Sequence, residues 1–154
     1  MKLFESEEIL KSELSTLTLR HRQNLGVVSE DVPLISNLDV LSNIALIKQY
    51  HQNLPHETAK KEVVGYLKRY QLDKIANKRN AALTPEQRFR ILLLRAAMMM
   101  EAVIIIDRPF KLLSEHHDSY FIYDSLNIID DLYNRCYITD YAWLKDRYGM
   151  SDVA

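Results

Sequence analysis

The densest apolar pattern in the chain runs from Leu83 to Phe110, LTPEQRFRILLLRAAMMMEAVIIIDRPF. Thr84 is an N-cap candidate, Pro85 suits the first helical position because its missing N–H has no intrahelical partner there, and Gln87 completes a capping box. From Gln87 to about Met100 there is no Gly or Pro, Leu and Ala dominate, and Arg88, Arg90 and Arg95 take the polar positions, which predicts a helix. Ala102 to Ile106 then forms an apolar run rich in β-branched residues, the pattern of a strand buried on both faces of a parallel sheet. Asp107 stands at its carboxyl end.

The same reading extends along the chain. Met1 to Gln23 is polar and weakly patterned around Leu3, Ile9, Leu10 and Leu14, and reads as a helix or a loosely held leader. Leu25 to Val28 is a short apolar run ending in Ser29-Glu30-Asp31 and Pro33, a strand followed by a polar loop. Asp39 caps a helix through Val40, Leu41, Ile44, Ala45 and Ile47, and Asn53-Leu54-Pro55 breaks it. A second helix runs from His56 or Glu57 to about Tyr70, burying Val63, Val64 and Leu67 and leaving Lys60, Lys61 and Lys68 as a solvated basic face. Leu72 to Ala76 adds a further turn. After Phe110 a helix is expected from about Tyr120 to Tyr133, capped by Asp118 or Ser119, and then a third strand, Cys136 to Thr139, ending at Asp140. Helices alternating with short buried strands imply a parallel sheet with crossover helices. Ligands of such sheets sit beyond the carboxyl ends of the strands, where Glu30, Asp107 and Asp140 are placed.

Composition narrows the function without naming it. The chain has 154 residues, 47% hydrophobic and 27% charged, and suits one domain with a real core. A net charge of -1 gives no reason to propose nucleic acid or an acidic membrane as a partner. The single cysteine, Cys136, excludes an internal disulfide and, with no secretion-signal pattern, favours a cytoplasmic location. Ile91 to Ile106 is interrupted by Arg95 and Glu101 and falls short of a spanning helix, so any membrane role must come through a partner.

The remaining chemistry reads plainly. Asp107 is expected to cap a turn or pair with Arg108. His116 and His117 read as a solvated pair, because neighbouring positions point apart and no further ligand is near in sequence. Met98, Met99 and Met100 read as core filler, Tyr141 and Trp143 as part of a packed C-terminal cover, and Cys136 as unreactive.

The order of these motifs resembles the ATP-binding subunit of ABC transporters. Leu83, Thr84, Pro85, Glu86 and Gln87 give LTPEQ where the family has its LSGGQ signature, and Arg90 and Arg95 keep the family's spacing. The strand ends Asp107-Arg108-Pro109-Phe110 where the family has D-E-P-F or D-E-P-T. Leu25 to Asp31 with the following PLISNLDVLSNIAL resembles the Q-loop segment, with Ser29 and Glu30 in the Phe and Gln places. Residues 47–82 correspond to the helical subdomain that receives a permease's coupling helix. Asp140 stands in the place of the switch histidine. The resemblance covers roughly Gln23 to Gly149. It implies a truncated P-loop-NTPase-like α/β fold, helix-rich overall, in which residues 1–154 are one truncated domain.

The departures fall on the chemistry. A P-loop has the pattern G-x-x-x-x-G-K-[ST], and the three glycines here, Gly26, Gly65 and Gly149, are far apart. The resemblance therefore implies a chain that begins after the first part of the nucleotide site, as a natural short protein or a piece of a longer one. Pro85 removes a backbone donor from the signature loop and Glu86 adds negative charge at the helix start, both opposing anion binding. Arg108 replaces the glutamate that polarises water, and a guanidinium cannot act as a general base. Glu30 and Asp107 keep oxygens with which Mg²⁺ could be held. The function expected is that of a degenerate subunit homologue, a structural or regulatory partner of a membrane permease or of an intact ATPase subunit, without hydrolysis of its own. It is also expected to self-associate through an uncovered sheet edge and to need no cofactor alone. The alternatives are a fragment that binds Mg-ATP in a composite site once a P-loop completes it, and a Mg²⁺-dependent phosphoryl-transfer domain using Glu30, Asp107 and Asp140.

Overall fold

A computed structural model describes residues 1–150. Four strands, β1 (Lys2–Phe4), β2 (Leu25–Val28), β3 (Val103–Asp107) and β4 (Arg135–Tyr141), form one parallel sheet in the order β1-β4-β3-β2. Five α-helices join them: α1 (Glu7–His21), α2 (Val40–Gln52), α3 (His56–Arg69), α4 (Pro85–Ala97) and α5 (Tyr120–Ile128). Right-handed crossovers put α1 and α4 on opposite faces of the sheet, with α2 packed on α3 and α4.

The core follows the apolar runs. Val103 to Asp107 is buried at every position, as expected of a central parallel strand. Phe89, Ile91, Leu92, Leu93 and Leu94 of α4 are at most 1% exposed, and α4 starts as its sequence predicts, with the reciprocal Thr84–Gln87 capping box and Pro85 in its first turn. Arg90 ties this layer together. It donates to Ser125 Oγ (3.0 Å) and Asp124 Oδ2 (2.9 Å), and its guanidinium lies over the rings of Tyr70 and Phe121.

Several boundaries differ from the sequence expectation. Met1 to Gln23 is no loose leader: Lys2–Phe4 pairs with Thr139–Tyr141 at the sheet edge and leads through Glu5 and Ser6 into α1. α5 stops at Ile128, and Asp130–Leu132 continues as a 3-10 turn, so Tyr133 lies outside the helix. Strand β4 is longer than Cys136–Thr139, which puts Asp140 inside it. Met98 is buried but Met100 is 61% exposed, so the methionines are not all core filler.

Candidate functional site

Sheet register builds the centre of the site. Val28 pairs with Ile106, and Asp107 with Thr139, so Ser29, Asp107 and Thr139 form one row across the carboxyl ends of β2, β3 and β4. Ser29 Oγ donates to Asp107 Oδ2 (3.2 Å) and Thr139 Oγ1 to Oδ1 (3.3 Å). All three residues are buried, Asp107 being 5% exposed.

Arg108 completes this row. Its backbone is left-handed, φ 46°, a conformation that costs a non-glycine residue about 1–2 kcal/mol and persists only where the surroundings hold it. The backbone N–H donates to Thr139 O (2.7 Å), and the side chain folds back on its neighbour, Nε to Oδ1 and Nη2 to Oδ2 of Asp107, both at 2.9 Å. Nη2 also reaches Asp31 Oδ2 (3.2 Å) and Nη1 reaches Tyr141 Oη (3.4 Å) and Glu7 Oε1 (3.9 Å). Hydrogen bonding to Asp107 holds the guanidinium above its already high range. One buried cation thus joins α1, the loop after β2, and strands β3 and β4.

Glu7 belongs to a feature the sequence reading missed. Ser6 caps α1 by accepting from Ile9 N (3.3 Å), with Glu7 and Glu8 in the first turn. The signal was present in the sequence, a Ser followed by acids at a helix start and Arg20 and His21 in the last turn. Only Leu10 and Leu17 are fully buried, so the apolar stripe is sparse and left a helix, which the structure shows, beside a loose leader as readings of the sequence.

The other expected site residues part company. Glu30 is exposed and does not join Asp107. Among the described residues no group of three or more His, Cys, Asp or Glu is placed to hold a metal ion, so the three strand-end carboxylates do not form one cluster. Leu83 is buried, and Thr84 and Gln87 spend their side chains on the capping box. Glu86 accepts from or donates to nothing in the sheet; its Oε1 meets His116 Nε2 at 3.0 Å, an interaction that lowers the carboxyl's pKa. His116 is therefore not part of a solvated pair, since its ring also lies 5.2 Å from that of Phe121.

Asp140 is 1% exposed and accepts from Tyr148 Oη (2.6 Å) and from Tyr141 N (2.8 Å). Tyr148 packs on Phe110 and so closes the C-terminal cover, whereas Trp143 is 62% exposed and stacks on Tyr141 with ring centroids 4.2 Å apart. Burial raises the Asp140 carboxyl above its ordinary range, against the lowering effect of the Tyr148 hydrogen bond. The folded state thus keeps this proton to higher pH than the unfolded chain, whose aspartates titrate near 4. From the unfolded value upward, stability falls as pH rises until the folded carboxyl has also ionised. In Asp140→Asn the amide oxygen still accepts from Tyr141 N, and the amide nitrogen donates to Tyr148 Oη, so that contact reverses its direction and the charge is gone. The variant's melting temperature should exceed the parent's by about 2 °C at pH 7 and match it at pH 3; an equal or lower value at pH 7 would show that the ionised form is fully compensated.

Burial pushes the Cys136 thiol up to about 12, in keeping with its lack of a reactive setting. Arg95, half-buried, pairs with no carboxylate among the described residues: its Nη1 and Nη2 donate to the carbonyls of Pro33 (2.8 Å) and Val32 (2.6 Å). It borders an apolar groove of about 330 Å³ beside the free edge of β2, lined by Leu25, Val27, Val32, Ile35, Leu46 and Met99 among others.

Both the sequence and the fold have counterparts among known ATP-binding proteins. A sulfate/thiosulfate import ATP-binding protein, CysA, of Synechocystis sp. is 30% identical over 89 residues, 58% of this chain and 25% of that protein. The dimeric structure of the bacterial ABC transporter cassette MJ0796 superposes with a TM-score of 0.60 at 23% identity, covering 84% of this chain and 57% of the cassette. The fold is that of an ABC cassette, and part of the sequence is similar to an ABC-type import ATP-binding protein. A post-hydrolysis state of the same cassette, bound to ADP and Pi, gives a TM-score of 0.59 at 24% identity over 83% of this chain and 56% of that one. No family model matches the sequence. The chain thus spans about a quarter of the curated relative and somewhat over half of the solved cassettes. Among its described residues no helix is long and apolar enough to cross a membrane.

Proposed function

We propose that this ABC-type domain is a degenerate ATP-binding subunit homologue that serves as a structural or regulatory partner of a membrane permease, or of an intact ATPase subunit, without hydrolysis of its own. The observation that carries this reading is the guanidinium of Arg108, seated on both oxygens of Asp107. Beside it a divalent cation would meet a fixed positive charge, and no carboxylate follows Asp107 to take a proton from water.

The start of α1 supports the same conclusion. Phosphate-cradling loops lie between a strand and a helix and rely on free N–H groups at the helix start. Here β1 and α1 are joined by Glu5 and Ser6 alone, the cap is made by Ser6, and Glu7 and Glu8 oppose an anion. At the signature position Pro85 and the Glu86–His116 pair act likewise. The residues present do not fit Mg-ATP.

The partner role draws on the groove beside β2, where Val32, Ile35 and Leu46 are each more than 40% exposed. It borders α2, the first helix of the segment that resembles the permease-facing subdomain, and so suits a helix of a permease at the inner face of the membrane. Adding millimolar Mg-ATP should leave the melting temperature unchanged, because only a ligand selective for the folded state raises it. An upward shift, or phosphate release by the purified chain, would overturn the non-binding reading.

A further inference from the structure

The loop from Ser29 to Leu38 separates the strand-end row from the apolar groove and belongs to both. It has no regular structure up to the helix cap, and exposes Val32 and Ile35, so Leu34 is its one apolar side chain anchored in the core. Its polar contacts are nonetheless complete at several points. Ser29 Oγ accepts from Asp31 N (3.1 Å) while donating to Asp107. Arg108 takes the Asp31 carboxylate, and Arg95 takes the next two carbonyls, Val32 and Pro33. Asn43, 2% exposed, accepts from Ile35 N (2.8 Å) and donates to the carbonyls of Ile35, Leu38 and Asp39.

We propose that Arg108 and Arg95 form a two-point clamp that holds the Ser29–Leu38 loop, and with it the groove beside β2, in a single arrangement that needs no nucleotide. The inference rests on the non-binding reading above and extends it to regulation: the docking groove is permanently formed. Both arginines reach the loop from elements fixed by the sheet. Arg108 leaves the end of β3 in a left-handed backbone pinned to Thr139, and Arg95 sits on the last turn of α4, which is packed on β2. The two grips fall on consecutive residues, Asp31 and then Val32 and Pro33, so the segment cannot pivot about either one alone. Burial lowers the pKa of the Arg95 guanidinium, so its hydrogen bonds to uncharged carbonyls replace water that the site excludes.

Amide hydrogen exchange of the whole chain tests this. The amides of Val32, Ile35 and Leu38, each donating inside the loop or to Asn43, should exchange far more slowly than an unstructured peptide, and equally with and without Mg-ATP. Arg95→Gln should speed their exchange at least tenfold. Asp31→Asn, which removes an exposed carboxylate and cannot endanger folding, should speed it about threefold, consistent with a weaker, partly solvated grip. Amides of Val63 and Leu67 in α3 should be unchanged in both variants, which separates loop release from global loosening. Free exchange of the loop in the parent chain, or no change in either variant, overturns the clamp. Slower loop exchange with Mg-ATP also overturns it. A melting temperature raised by Mg-ATP with loop exchange unchanged overturns the non-binding reading and leaves the clamp standing.

Discussion

Substituting alanine for Gly26 should lower the melting temperature by about 6–12 °C, the equivalent of roughly 3 kcal/mol or more. A Cβ at this position would stand 2.1 Å from the carbonyl oxygen of Ala96 and 2.6 Å from its carbonyl carbon and Cα. These are backbone atoms of α4, so no rotamer change relieves the overlap, and β2 and α4 must separate. Separation would open the packing under Ile104 and Ile106 and draw Ser29 away from Asp107, because Ser29 directly follows Val28, the last residue of β2. Gly65 supplies the control. It lies in α3 with nothing within 4 Å of its would-be Cβ, and Gly65→Ala should stabilise by up to about 1 kcal/mol through higher helix propensity. Thermal melts of the two variants decide the matter: equal midpoints would mean that α4 does not rest on β2.

The Gly26 contact is a case of what sequence alone could not supply. Leu25 to Val28 reads as a strand from its apolar run, but nothing local says that a helix some seventy residues later will lie against its one glycine. Elements with strong local signals were legible. The Thr84–Gln87 box, Pro85, the β-branched run before Asp107 and the Asp39 cap all appear in the structure where their residue types place them. Lys2–Phe4 was not legible, because a short, half-buried edge strand has no alternation to detect and is defined only by its partner β4. In the site, Asp107 and its pairing with Arg108 were readable, since the two are adjacent. Glu7, Asp31 and Tyr141 were not, because their convergence on the guanidinium depends on the order β1-β4-β3-β2 and on the path of the loop after β2. Glu30, chosen by strand-end reasoning, is exposed, and its neighbours on either side carry the contacts to the row.

Removing either member of the Arg108–Asp107 pair should cost about 3–5 kcal/mol, while removing both should cost well under the sum. In Arg108→Met the Asp107 carboxylate would stay buried with only the hydroxyls of Ser29 and Thr139 as donors. In Asp107→Ala the guanidinium would keep Asp31 and Glu7, both on the exposed rim, and lose its two shortest contacts. The double variant leaves neither charge unpaired, so urea unfolding should give a coupling of roughly 2 kcal/mol or more between the sites. Additive single costs would show that the pair is screened by water and holds nothing. The same reasoning bears on any attempt to restore a catalytic base. Arg108→Glu would set a carboxylate beside Asp107, with Asp31 and Glu7 no longer neutralised, and like charges at that distance oppose one another in a dry site. That variant should therefore be the least stable of the series and should release no phosphate, because the residue that bars base catalysis is also the one that holds these strand ends together.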